Sequence, residues 1–186
     1  MGLDMYLYKK TYVRNWEHQT PEEKHSITIK KGGKKRTDIK PERINEISEL
    51  VGEWRKFNAL HNWFVQNCGE GEDTCQEMYV TEEHIKDLLN TLKQVSSAIS
   101  KSKLVVKVLQ DWNGKNYDHK VYDCENKVKK LLSPAKGFFF GSQEVDEWYK
   151  EDVERTIVLL EELLKEQEQS KKHGLFSGEF YYQASW

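Results

Sequence analysis

The sequence predicts an α+β fold: a small antiparallel sheet formed by the N- and C-terminal strands plus a hairpin, packed against three to four helices. Three observations lead there. The opening GLDMYLYK alternates, with Leu3, Met5 and Leu7 on one side and Asp4, Tyr6 and Tyr8 on the other. The closing FYYQASW alternates as well, with Phe180, Tyr182, Ala184 and Trp186 opposite Tyr181, Gln183 and Ser185. A period of two is that of a strand with one buried face. Between these ends lie segments whose apolar residues step by three or four, the period of a helix. A terminal strand frays unless it is paired, so both ends are expected in one sheet with the helices against it. The 186 residues suit one domain, 1–186, with a hairpin excursion at about 14–40.

Taken in order, RNWEHQTPEEKH is polar, contains Pro21 and reads as loop. SITIKKGGKKRTDI reads as a hairpin, because Gly32-Gly33 can supply the positive φ of a tight turn. Its lysines and Arg36 make a basic tip, suited to solvent or to an anionic partner. From Pro41 a helix is expected, with the stripe Ile47, Leu50, Trp54, Phe57, His61, Phe64, Cys68; Gly52 could delay its start to Glu53. A second helix follows Thr81, an N-cap with Glu82 and Glu83 in the first turn, and buries Ile85, Leu88, Leu92, Val95 and Ile99. KLVVKVLQDW fits strand or helix, NGKN is a turn, and VYDCENKVKKLL is helical until Pro134. The last helix is expected after Ser142, as N-cap, with Val145, Tyr149, Val153, Ile157, Leu160 and Leu164 on its buried face.

Charged residues make up 32% of the chain but sum to only −2, which argues against a dedicated nucleic-acid binder. No apolar run approaches the ~20 residues of a membrane span. The start lacks the order of a signal peptide, and Tyr6 stands where a myristoylation motif takes Ser or Thr. Three cysteines, Cys68, Cys75 and Cys124, are too few and too irregular for a disulfide framework or a zinc site, so free thiols are expected. GEGED reads as a solvated turn, since it lacks the spaced ladder of a calcium loop. No metal, cofactor or catalytic set is predicted.

Two stretches could carry chemistry. In EWRKFNALHNWFVQN, Trp54, Asn58 and His61 share a helical face, with Arg55 and Lys56 beside it. Broad rings, amides and two cations suit a planar anionic ligand; they equally suit an amphipathic helix with His61 as a satisfied core residue. In KGFFFGSQEVDEWYK, three phenylalanines stand between glycines. They read as a strand-to-helix joint with two rings in the core and a third free to meet a ligand or neighbour. Carboxylates Glu144 and Asp146 disfavour a phosphate cradle at that helix start.

The blocks MGLDMYLYK, WRKFNALHNWF, GFFFGSQEVDEWYKEDVERTI and YYQASW, in that order, resemble a family of small uncharacterised bacteriophage and prophage proteins. The resemblance spans both ends and the centre and leaves the basic hairpin outside. It implies a phage protein made in the host bacterial cytoplasm. It also points to candidate positions inside the blocks: Asp4 and Tyr6; Trp54, Arg55, Asn58, His61 and Trp63; Phe139, Gly141, Ser142, Asp146 and Tyr149; Tyr182, Gln183, Ser185 and Trp186.

The function expected first is non-enzymatic: a homo-oligomeric binding protein that sequesters a small nucleotide-like host signal and so counters antiviral defence. The alternative is a protein–protein inhibitor of a host defence enzyme or nuclease, with aromatic anchors. The third is a His-dependent hydrolase or transferase, with His61 as base oriented by Asp4 or Asp146. No membrane partner is expected.

Overall fold

The computed structural model describes residues 2–111, 113–175 and 177–186. Strands β1 (Asp4–Tyr12), β4 (Glu46–Arg55), β5 (Met78–Val80) and β8 (Glu179–Ser185) form one antiparallel sheet in the order β4-β1-β8-β5. The two chain ends pair directly, from Asp4 against Ser185 to Lys10 against Glu179. Helices α1 (Asn58–Cys68), α2 (Glu82–Ser100), α3 (Glu125–Leu131) and α4 (Glu147–Lys172) complete an α+β fold. No described helix is long and apolar enough to cross a membrane.

The hairpin β2 (Lys30–Lys31) and β3 (Lys34–Lys35) forms at Gly32-Gly33, whose φ angles are +56° and +78°. It stands as its own two-stranded ladder, and the places beside the terminal strands are taken by β4 and β5. A third ladder joins β6 (Leu104–Gln110) to β7 (Asn116–Tyr122), which resolves the KLVVKVLQDW stretch as strand up to Gln110; Trp112 lies outside the described residues.

One sheet face is apolar, as its alternation requires. Leu3, Met5, Leu7, Trp54, Met78, Val80, Phe180, Tyr182 and Ala184 are all buried there with the inner faces of the helices. α2 starts at Thr81, whose hydroxyl accepts from the His84 amide at 3.0 Å, and buries the five residues its stripe predicted. A fully buried Leu or Ile contributes roughly 1.5–3 kcal/mol. An exposed ion pair such as Lys93–Glu161 contributes about 0–1 kcal/mol, so the apolar layer dominates the stability.

Residues 46–55 differ from expectation: they are strand β4, so Trp54 and Arg55 do not lie on the helix that carries His61. Ile47 and Leu50, the first members of the supposed helical stripe, are 41% and 52% exposed. The residues that turn inward are Gly52 and Trp54, two apart. Gly52 has a packing reason: a Cβ there would meet the Trp54 ring at 2.5 Å, because the indole lies across it. A bulge opposite Leu7 and Tyr8 corrects the register, and the chain then leaves the sheet through Lys56 at φ +60°.

The start of α4 also differs. Its N-cap is Asp146, whose carboxylate accepts from the Tyr149 amide at 2.9 Å. Ser142 closes a smaller turn, accepting from the Glu144 amide at 3.1 Å. Residues 142–145 cannot enter the helix because their backbone is bonded elsewhere: the Tyr122 amide donates to Val145 O and the Asn58 side chain to Ser142 O.

The Trp54 indole N–H donates to Thr156 Oγ1 at 2.8 Å, tying the sheet to the middle of α4 in a buried setting. Thr156→Val keeps the shape and strands that donor, so it is expected to cost about 1–3 kcal/mol. The measurement is a lower urea midpoint at unchanged m-value.

Candidate functional site

The chain between α3 and α4 runs back over the N-terminal end of α1. Buried Asn58 ties it down at two points, donating through Nδ2 to Phe140 O at 3.0 Å and to Ser142 O at 2.7 Å. This strap has a cleft on each side. The first, about 720 Å³, is lined by His61, Asn62, Asp73, Lys136, Phe138, Phe139, Phe140 and Trp186 among others. The second, about 270 Å³, is lined by Arg55, Lys56, Asn58, Gly141, Ser142, Asp146, Trp148 and Tyr149 among others.

The three phenylalanines divide their roles. Phe140 is buried, and its ring meets His61 edge-on at 5.3 Å and Trp186 at 5.9 Å. Phe139 is half-buried, while Phe138 is 96% exposed and stands perpendicular to Phe139 at 5.0 Å. The floor is a buried polar chain. His61, 1% exposed, is 2.8 Å from the Tyr182 hydroxyl through Nδ1 and 3.0 Å from Asp73 Oδ2 through Nε2. Burial holds the Tyr182 phenol well above its usual range, and in the tautomer that satisfies both ring nitrogens its O–H donates to Nδ1. Nε2–H then donates to Asp73, whose second oxygen accepts from the Trp186 indole at 3.2 Å. The Tyr182 ring itself stacks on Phe64 at 4.0 Å, which fixes the whole chain of bonds to the core.

Asp73 reaches His61 because the chain reverses just after α1. Glu70 and Gly71 adopt φ of +55° and +82°, and the Gly71 amide donates back to Val65 O at 2.9 Å. The GEGED turn thereby returns its last carboxylate along the helix it has just left.

Behind the second cleft the β6–β7 hairpin acts as a brace. Lys107 Nζ lies 3.0 Å from Glu125 and 2.5 Å from Glu144, and His119 Nε2 lies 3.0 Å from Asp146. Burial would raise the Glu125 carboxyl, but hydrogen bonds with Lys129, Glu144 and Lys107 outweigh it and bring it down to about 2. Tyr149 places a buried hydroxyl without a hydrogen-bond partner among the described residues, and burial pushes its phenol above the ordinary range. Asp152 is likewise raised by burial, against the pull of Arg155.

The residues singled out from the sequence are therefore split. His61, Phe139 and Trp186 line the first cleft; Arg55, Asn58, Gly141, Ser142, Asp146 and Tyr149 line the second. Trp54 and Tyr182 are core residues, and Trp63 packs edge-on against Phe64. Asp4, Tyr6, Gln183 and Ser185 occupy the opposite face of the sheet, because their positions alternate with the buried ones. There Asp4 pairs with Arg55, Tyr6 lies beside Tyr8, and Gln183 donates to Cys75 O. His61 is oriented by Asp73 and Tyr182, and neither Asp4 nor Asp146 is its hydrogen-bond partner. Asp73, Lys136 and Phe138 join the site from outside the sequence-based set. Only Phe138 had a signal, as the third ring of the triple.

No family model, curated protein or solved structure matches this chain.

Tyr182→Phe leaves His61 Nδ1 buried without its donor and is expected to destabilise the fold by about 1–3 kcal/mol; denaturant midpoints read it. The brace sets a pH dependence. Glu125 is depressed from 4.5 to about 2 on folding, so its contribution is complete above pH 4.5 and is lost as pH falls from 4.5 toward 2. Thermal unfolding across that window is expected to show a smaller acid-induced loss in Glu125→Gln than in the parent.

Proposed function

We propose that the protein is a non-enzymatic binding protein that takes a small, planar, nucleotide-like molecule into the first cleft. In the phage setting that its sequence blocks resemble, the role is to sequester a host signal and counter antiviral defence. The observation that carries this reading is Phe138, an apolar ring 96% exposed at the wall of a cleft that also holds Phe139 and Trp186. A ring held in water beside other rings is a stacking surface for a flat ligand. Asp73 offers lone pairs to an exocyclic amino group, and it repels phosphate. The phosphate end therefore belongs toward Lys136, on the same rim as Phe138.

A second reading, masking of a host defence enzyme, is favoured by one further observation. Trp148, 76% exposed beside the second cleft, would serve with Phe138 as a pair of interface anchors.

Calorimetric titration with mono-, di- and cyclic nucleotides tests the first reading. Ring–base stacking is worth about 1–3 kcal/mol, so Phe138→Ala is expected to weaken the best ligand about ten-fold or more. Its melting temperature should stay unchanged, because the ring buries almost nothing. Absence of binding across the panel, or equal affinity in Phe138→Ala, overturns the assignment; loss of a co-purifying host protein in Trp148→Ala supports the second reading instead.

A further inference from the structure

The outer edge of β6 is open and apolar, with Leu104, Val105, Val106, Val108 and Leu109 on one strand. Its odd-numbered positions bond to β7: the ladder continues at both ends with Asp111 N to Lys115 O and Asp123 N to Lys103 O, each 3.0 Å. Antiparallel pairing alternates, so Leu104, Val106, Val108 and Gln110 turn their N–H and C=O groups away from β7. No strand among the described residues takes them up. Val106 and Val108 are each 62% exposed on the same strand.

Open strand edges in monomers are ordinarily guarded by charge or by bulges. The edge strand β4 follows that rule, with Glu46, Glu49, Glu53 and Arg55 and a bulge against β1. β6 does not. Its one charge, Lys107, is turned to Glu125 and Glu144 of its own chain.

The pattern of this strand identifies what fits it. About Lys107 the sequence is nearly palindromic: Val106 mirrors Val108, Val105 mirrors Leu109, Leu104 mirrors Gln110 and Lys103 mirrors Asp111. Two copies paired antiparallel about that point place valine on valine and valine on leucine. Lys103 of each then meets Asp111 of the other at both ends. Asp111 Oδ1 is committed to its own turn amides, which leaves its second oxygen for that contact. The two Lys107 side chains meet at the axis, already neutralised within their own chains. The register also sets outward-facing groups against outward-facing groups, since 104 falls on 110 and 106 on 108.

We propose that β6 pairs with β6 of a second copy, so that the two hairpins form one continuous four-stranded antiparallel sheet and the protein is a closed two-fold dimer. The other edge, β7, carries Asp118 and Lys120, so among the described residues pairing consumes the unguarded edge of each hairpin and assembly stops at two. The same hairpin holds Glu144 and Asp146 through Lys107 and His119, so the dimer stiffens the strap between the clefts.

Val106→Pro is the decisive variant. It removes an N–H that faces away from β7 and leaves the hairpin's own ladder intact, a position where an edge strand tolerates proline. Sedimentation equilibrium is expected to show the parent at twice the 22.0 kDa chain mass and Val106→Pro at 22.0 kDa, with the same far-ultraviolet circular dichroism. Val158→Lys, an exposed change on α4, should stay dimeric. A monomeric parent, open-ended association, or a natively folded Val106→Pro that remains a dimer overturns the proposal. Should Val106→Pro fail to fold, Val108→Lys decides in its place, with monomer expected and a persistent dimer contrary.

Discussion

The pairing of β1 with β8 is the constraint on which the rest of the structure depends. It joins the two ends of the chain along seven residue pairs and aligns their apolar positions on one face. That face is the bed for the helices, and Tyr182 lies within it. Because Tyr182 is fixed by stacking on Phe64, its hydroxyl is delivered to His61 from below, and His61 in turn delivers Asp73 to the cleft. The polar floor of the first cleft is therefore built outward from the core, and each of its groups is oriented by the one beneath it.

The strap over α1 is organised differently. It has little secondary structure of its own and is positioned by the two bonds of the Asn58 amide and by the charged brace from the β6–β7 hairpin. A single buried amide that satisfies two carbonyls is a strong local constraint, because either carbonyl left unpaired would carry a desolvation penalty. The clefts are thus bounded on one side by a rigid helix and on the other by a segment whose hold depends on a few polar contacts.

The two aromatic populations also separate by role. Rings on the inner sheet face are mutually packed and fully covered, whereas Phe138, Trp148 and Trp186 stand at cleft rims with much of their surface in water. The tyrosines of the outer sheet face form a third group: Tyr8, Tyr181 and Tyr79 lie side by side across three strands, with Lys10 4.4 Å above the Tyr181 ring.

Alternation and helical spacing in the sequence determined both terminal strands, the face each buries, the Gly32-Gly33 hairpin and α2 with its cap, because these are local properties of side-chain period and turn chemistry. They did not determine β4. Its spacing is compatible with a helix, and what makes it a strand is the neighbouring β1 edge together with the Trp54 ring lying over Gly52, neither of which is local. The cap at Asp146 escaped for the same reason, since Ser142 is drawn off by Asn58 from 84 residues away. Site residues chosen by sequence block were brought together only where the fold gave them one face: alternation sent Asp4, Tyr6, Gln183 and Ser185 to the far side of the sheet. The meeting of Asp73 with His61 and Trp186 depends on a backbone reversal at Glu70-Gly71 and on the return of the last strand, so only the tertiary structure could decide it.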